Sequence, residues 1–289
     1  MRVEKFKVPK QGNLVGVVAS VLTNVSTNKI KAILKNKDIK VDGVRVKENI
    51  VVESGQEITI YLPDNAVSAK FEIVYEDDNI VVASKPQGIE TVNDEHNAFV
   101  DLLENGLNQK LYAVHRLDRN TMGLVVFAKN GEAKEVLDTA FKQRTIEKYY
   151  LALVYGSLKQ KHAELVAYLK KDASKSLVKI VDSQLAGFEK IQTNYNVVDE
   201  FENSSLVEVE LVTGKTHQIR AHFAHIGHFV VGDEKYGDSK INKLFHKKKQ
   251  CLCSYKIVFH FGDGILKYLD GKVIELEKEK IDFVKNCKK

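Results

Sequence analysis

Apolar and polar positions change rhythm several times along the chain, and each rhythm predicts an element. In "STNKIKAILKNK", Ile30, Ile33 and Leu34 recur at helical spacing, so a short helix capped by Ser26 or Thr27 is expected. Lys29, Lys31, Lys35 and Lys37 crowd the remaining surface. Ile39–Val41 and Val44–Val46 flank Asp42-Gly43, the pattern of a tight hairpin, and "SGQEITIYL" supplies a further strand. Farther on, "FEIVYEDDNIVVASKPQG" reads as two strands around an Asp-Asp-Asn turn, and "FVDLLENGL" as a short helix. "GLVVFAK" is a strand, and "GEAKEVLDTAFKQ" a helix with Ala133, Val136, Leu137 and Ala140 on one side. "KYYLALVYG" and "AELVAYLKK" are strands, and "SLVEVELVTG" alternates apolar and polar positions. Strands and helices do not alternate regularly. The expected class is therefore α+β, a mixed, mainly antiparallel sheet with packed helices behind a small N-terminal α/β module. "PDNAVSAK" reads as a linker, which divides the chain into 1–62, 63–70 and 71–289.

Composition narrows the class. The 289 residues are 44% hydrophobic and 29% charged, as in a folded soluble protein. The N-terminus "MRVEKFKVPK" carries charges where a signal peptide needs an apolar region, and no apolar run approaches the ~20 residues of a membrane span. A cytoplasmic protein is expected, with monomer as the default state. Cys251, Cys253 and Cys287 are too few for a disulfide framework and read as reduced and structural. Net charge is +5, and residues 1–66 hold eleven Lys/Arg against seven Asp/Glu, so +4 of it lies in the N-terminal module. That distribution fits a basic binding module, although an ordinary lysine face would look the same.

Three stretches could carry chemistry. "HRLDRNTMG" sets Asp118 between Arg116 and Arg119, before a Gly that permits a tight turn. This is either an ordinary surface ion pair or a working carboxylate beside a polyanion. "TGKTHQIRAHFAHIGH" holds His217, His222, His225 and His228, which raises a metal reading. Spread around a helix, with Asp233 the nearest downstream carboxylate and no H-E-x-x-H pattern, they read better as packing and phosphate-facing residues. On a helix Arg220 would share the face of His217 and reach toward a carboxylate or phosphate. In "RTIEKYYLALVYG", strand alternation turns one of Tyr149 and Tyr150 inward, either as core or as a flat platform for a base.

"HRLDRNTMGLVVFAK" and "LVTGKTHQIRAHFAHIGHFVVGDEKYG" resemble the two signatures of the RluA-type RNA pseudouridine synthases, with "ASKPQG" and "KYYLALVYG" in the same order between roughly residues 71 and 260. "KIKAILKNKDIKVDGVRVKENIVVESGQEITI" is similar to the alpha-L RNA-binding motif, although the first helix, "LVGVVASVLTN", lacks the basic residues usual there. The resemblance implies an isomerase that turns uridine in RNA into pseudouridine, with Asp118 catalytic and no cofactor or metal. It implies that Tyr150 stacks on the target base, and that Arg220 pairs with Asp118 and keeps it ionised in a dry pocket. It also implies that Arg116 fills the space an extruded uridine leaves. Lys29, Lys31, Lys35 and Lys37 would bind RNA phosphates. Large-subunit ribosomal RNA is the expected substrate. Transfer RNA, an idle RNA-binding or assembly protein, and a histidine-based metal hydrolase are the alternatives. Met122 stands where the family usually has Ser, and "IETVND" follows "SKPQG" where it usually has a Val-His-Pro stretch, a loop expected to border the substrate.

Overall fold

A computed structural model describes residues 2–22, 25, 27–62, 71–93, 98–172 and 176–287. Ser26 and the expected linker at 63–70 lie outside the described residues. The chain divides into two compact units, Met1–Lys70 with Asp101–Asn108, and Phe71–Val100 with Gln109–Lys289.

The first unit is a four-stranded antiparallel sheet in the order Arg2–Lys7, Glu57–Leu62, Ile39–Val41, Val44–Val46, with helices Leu14–Val21 and Thr27–Lys35. Ile30, Ile33 and Leu34 are buried with Ile39, Ile58 and Ile60. Each such side chain contributes roughly 1.5–3 kcal/mol, which is what a unit this small needs. Asp42 and Gly43 both take positive φ, 48° and 81°, the turn that matches strand twist. The Asp42 carboxylate then accepts from the Glu57 amide at 2.8 Å. The strand Arg2–Lys7 was not anticipated: its apolar residues, Val3 and Phe6, lie three apart rather than alternating, and its partner lies some fifty-five residues away. Lys31, Lys35 and Lys37 are exposed, whereas Lys29 is half-buried.

The second unit is built on one eleven-stranded sheet. Its path runs Leu177–Val181, His162–Asp172, Glu189–Phe201, Ser204–Glu210, Ile146–Tyr155, Leu252–Phe259, Met122–Ala128, Ile80–Lys85, Glu72–Glu76. Every pairing is antiparallel except Met122–Gly123 against Cys253–Ser254. The α+β class with a mixed, mainly antiparallel sheet is what the structure has. Helix Gly131–Gln143 starts where the Asn130 side chain accepts from the Ala133 amide at 2.9 Å, and it buries Ala133, Leu137 and Ala140 against the sheet. Helix Gln218–His225 lies with Ala221 against Ala167, Leu169, Val178 and Ile191.

Three expectations need correction. Ser204–Val207 is buried on both faces, so the alternation in "SLVEVELVTG" is confined to Glu208–Glu210: the strand is central and covered where it begins. Gly123 is a strand residue, and the turn after Asp118 is made by Arg119 and Asn120. Gly123 has φ +109°, and a Cβ there would lie 2.1 Å from the Ser254 carbonyl oxygen, so glycine is required by close backbone approach at the parallel junction. The histidine segment is helical only from Gln218 to His225. His217 caps that helix in the left-handed conformation (φ 54°), and His228 lies beyond its end.

Candidate active site

The site begins with a loop held from below. Lys85 ends the strand Ile80–Lys85 fully buried, and its ammonium donates to the carbonyls of Pro86 (3.0 Å), Ile89 (2.8 Å) and Arg119 (3.2 Å). Burial pushes its pKa down to about 7, with the Asp118 charge opposing the shift. Three carbonyl acceptors call for the three donors that only the protonated amine has. Gly88 and Arg119 complete the tie: the Gly88 amide donates to the Arg119 carbonyl at 2.8 Å, and Arg119 Nε returns a bond to the Gly88 carbonyl at 3.0 Å. On the other side Thr91 Oγ1 accepts from the Leu117 amide at 3.0 Å. The "IETVND" stretch therefore grips the Asp118 loop through Ile89 and Thr91, beyond the substrate-bordering role expected of it. Its last residue, Asp94, lies outside the described residues.

Asp118 lies at the mouth of a cleft of about 470 Å³, lined also by Arg116, Tyr150, His217 and Arg220. Arg220 Nη1 donates to Asp118 Oδ2 at 2.8 Å. Its other donors go to Asp233, Nε to Oδ2 at 2.6 Å and Nη2 to Oδ1 at 2.9 Å. Side-chain exposure falls from 23% at Asp118 to 7% at Arg220 and 0% at Asp233. Burial works against the Arg220 charge, but the Asp233 bonds and the Asp118 charge outweigh it and raise its pKa. Asp233 Oδ1 also accepts from the amides of Lys235 and Tyr236, so the arginine is anchored to backbone through its carboxylate partner. The guanidinium lies over the Tyr236 ring at 5.2 Å. Tyr236 hydroxyl is 2.9 Å from His217 Nδ1, and His217 Nε2 is 3.9 Å from Asp118. Burial lowers the His217 pKa, with the Asp118 charge opposing.

Tyr150 is 5% exposed and lines the cleft, and burial raises the pKa of its hydroxyl. Tyr149 faces the other way: its hydroxyl donates to Glu147 at 2.8 Å and the Lys256 ammonium lies 4.1 Å from its ring centroid. His115 sits beneath the loop, where Nε2 accepts from the Val126 amide at 2.9 Å and the ring stacks on Phe141 at 4.5 Å. Burial pushes its pKa down to about 3, so it is a neutral structural imidazole. The remaining histidines go to separate partners: His222 to Thr193, His225 to Asp182, His228 to the Tyr155 carbonyl. Among the described residues no group of three or more His, Cys, Asp or Glu could hold a metal ion.

The model of the RNA pseudouridylate synthases matches residues 79–225, which contain Asp118, Tyr150 and Arg220. The chain belongs to this family. A Bacillus subtilis (strain 168) relative, "Uncharacterized RNA pseudouridine synthase YhcT", is 32% identical over 74% of this chain and 75% of its own length. "Ribosomal large subunit pseudouridine synthase C" of Vibrio cholerae is 30% identical over 76% and 75%. A solved structure, "Human RNA Pseudouridylate Synthase Domain Containing 1", shares the fold with a TM-score of 0.59 at 22% identity, over 76% of this chain and 95% of that one. The chain is accordingly an isomerase acting on RNA.

Of the residues singled out beforehand, Asp118, Tyr150, Arg220 and Arg116 come together in this cleft, with Arg116 exposed. Lys29, Lys31, Lys35 and Lys37 lie in the other unit. Lys85, Asp233, Tyr236 and His217 were not picked out as site residues. Only "GDEKYG" signalled the middle pair, and Asp233 was weighed there solely as a metal ligand. No helix is long and apolar enough to cross a membrane among the described residues.

Proposed function

We propose that this synthase isomerises uridine in large-subunit ribosomal RNA, with Asp118 as the catalytic residue. The observation that carries the reading is the single Arg220 donor placed on Asp118 while Asp233 fixes the rest of the guanidinium. A carboxylate so oriented lines a cleft of about 470 Å³, beside a buried tyrosine ring. The reaction balances without an added reagent. The bond from ribose C1′ to uracil N1 breaks, the ring turns, C1′ bonds to C5, and the proton lost from C5 is matched by one gained at N1. Asp118 serves either as nucleophile or as base toward the ribose. Tyr150 stacks on the uracil. Arg116, exposed at the rim, takes the place of the extruded base, whose removal from the stack costs a few kcal/mol.

The Vibrio cholerae relative's name supports the ribosomal substrate. Exposed Lys31, Lys35 and Lys37, with Lys29, support an RNA-binding alpha-L module in residues 1–62. The test is tritium release from transcripts made with [5-³H]uridine, since forming the new bond expels the C5 hydrogen. Release from large-subunit RNA and none from transfer RNA supports the reading. The reverse assigns the substrate to transfer RNA.

A further inference from the structure

Lys148 is a buried lysine that nothing above employs. It is 8% exposed, yet it lines the same cleft as Asp118. Among the described residues its ammonium has no ion pair and no hydrogen-bond acceptor. The Phe141 ring centroid lies 5.5 Å from it. Burial lowers its pKa, and the charge that adds to the lowering is another cation, Arg144. The ammonium itself reaches solvent at the cleft, since Ser254 Oγ is the fully buried side-chain polar atom without a partner among the described residues.

Arg144 is a second anomaly. It closes helix Gly131–Gln143 in the left-handed conformation, φ 64° and ψ 32°, where glycine is the usual residue. Arg144 also lines the cleft and, among the described residues, has no ion-pair partner. Asp118 already has its arginine, so the anion these two cations await is not in the protein.

We infer that Lys148 and Arg144 form a phosphate clamp, binding the backbone phosphates next to the uridine that enters the cleft. Buried Lys148 takes the phosphate nearest the extruded nucleotide, and exposed Arg144 takes its neighbour. The reasoning rests on the functional reading only in taking RNA as the ligand. The substrate's own phosphates then supply the acceptors that these two cations lack among the described residues. The Lys148 ammonium lies 5.5 Å from the Phe141 ring centroid, and both residues line the cleft.

The experiment uses the full chain and a 5′-fluorescein-labelled heptauridylate, with binding followed by anisotropy across a salt series and stability by calorimetry. Each cation removed from a phosphate contact lowers the salt slope by about 0.7 for a single strand. Lys148→Met and Arg144→Gly are each expected to lower the slope by that amount. Each is also expected to weaken binding by about tenfold, the scale of a charge-assisted hydrogen bond. Both variants should melt at or above the wild-type temperature, because Met suits a buried site and Gly suits the left-handed one. An unchanged slope overturns the clamp, whatever happens to stability. Lower melting with unchanged affinity makes Lys148 a packing residue and also overturns it. Asp118→Ala is the control, and it should leave the slope intact. Wild-type protein that shows these slopes but forms no pseudouridine would sink the functional reading and leave the clamp standing.

Discussion

Arg220 reaches Asp118 with one nitrogen, Nη1 at 2.8 Å, and gives Nε and Nη2 to the fully buried Asp233. On the proposed reading Asp233 is the positioning partner and Asp118 the working one. Lysine has no fork with which to serve two carboxylates. Arg220→Lys should therefore cut kcat by at least about a hundredfold, because a misplaced catalytic group costs on that order. Asp233→Asn should do likewise and lower stability by about 3–5 kcal/mol, as breaking a buried ion pair does. Turnover on large-subunit RNA and urea unfolding check both. Normal kcat in Asp233→Asn would remove the positioning role.

Lys85 and Lys148 are both buried lysines, and they should respond oppositely to replacement by methionine. Lys85 satisfies three carbonyls, and without it those of Pro86 and Ile89 lose their donor. At about 1–3 kcal/mol for each, Lys85→Met should destabilise by roughly 2–6 kcal/mol. It should also lower kcat, since the Asp118 loop hangs on the Arg119 carbonyl. Lys148 satisfies no acceptor, and its loss should not destabilise. Equal destabilisation in calorimetry would contradict this contrast.

His115 makes stability depend on pH. Its folded pKa, about 3, lies below the ordinary 6.5, so the unfolded chain takes up a proton that the folded chain refuses. The stabilisation is complete above 6.5 and drains away as pH falls toward 3. At pH 4.5 the loss is on the order of 3 kcal/mol. His222, lowered to about 4 by burial, adds to the same trend. Replacing His115 by Gln, which keeps an acceptor for the Val126 amide, should flatten the curve between pH 6.5 and 4.5. An unflattened curve would mean His115 is not a source of the acid sensitivity.

Tyr149 and Tyr150 are neighbours in sequence on opposite faces of a strand. Tyr150→Phe should retain activity within a few-fold because the ring remains. Tyr150→Leu should raise KM about 5- to 150-fold, the span of a 1–3 kcal/mol stacking loss. Tyr149→Phe should change neither constant. Steady-state kinetics on the four proteins distinguish the faces, and a large effect of Tyr149→Phe would reverse the assignment.

Legibility from sequence followed the range of the interactions. Helix Gly131–Gln143 could be read to its ends because its cap, apolar face and stop are local. The Asp42-Gly43 hairpin was legible for the same reason. Arg2–Lys7 and Glu189–Phe201 were missed, since their pairing is set by partners far along the chain or by a long strand with mixed polarity. Within the site, motif resemblance pointed to Asp118, Tyr150 and Arg220. Lys85 and Lys148 were opaque because a lysine's burial has no local signature: one ends a strand against three carbonyls, the other lies within a strand facing a cleft.

The most direct test of the account compares pseudouridine in cells lacking the gene with cells carrying wild type or Asp118→Ala. Carbodiimide labelling marks pseudouridine, and reverse-transcription stops map it on ribosomal and transfer RNA. The account predicts at least one stop in large-subunit ribosomal RNA that disappears with the gene, returns with wild type, and stays absent with Asp118→Ala. Restoration of the stop by Asp118→Ala, or no difference at any uridine, would contradict it.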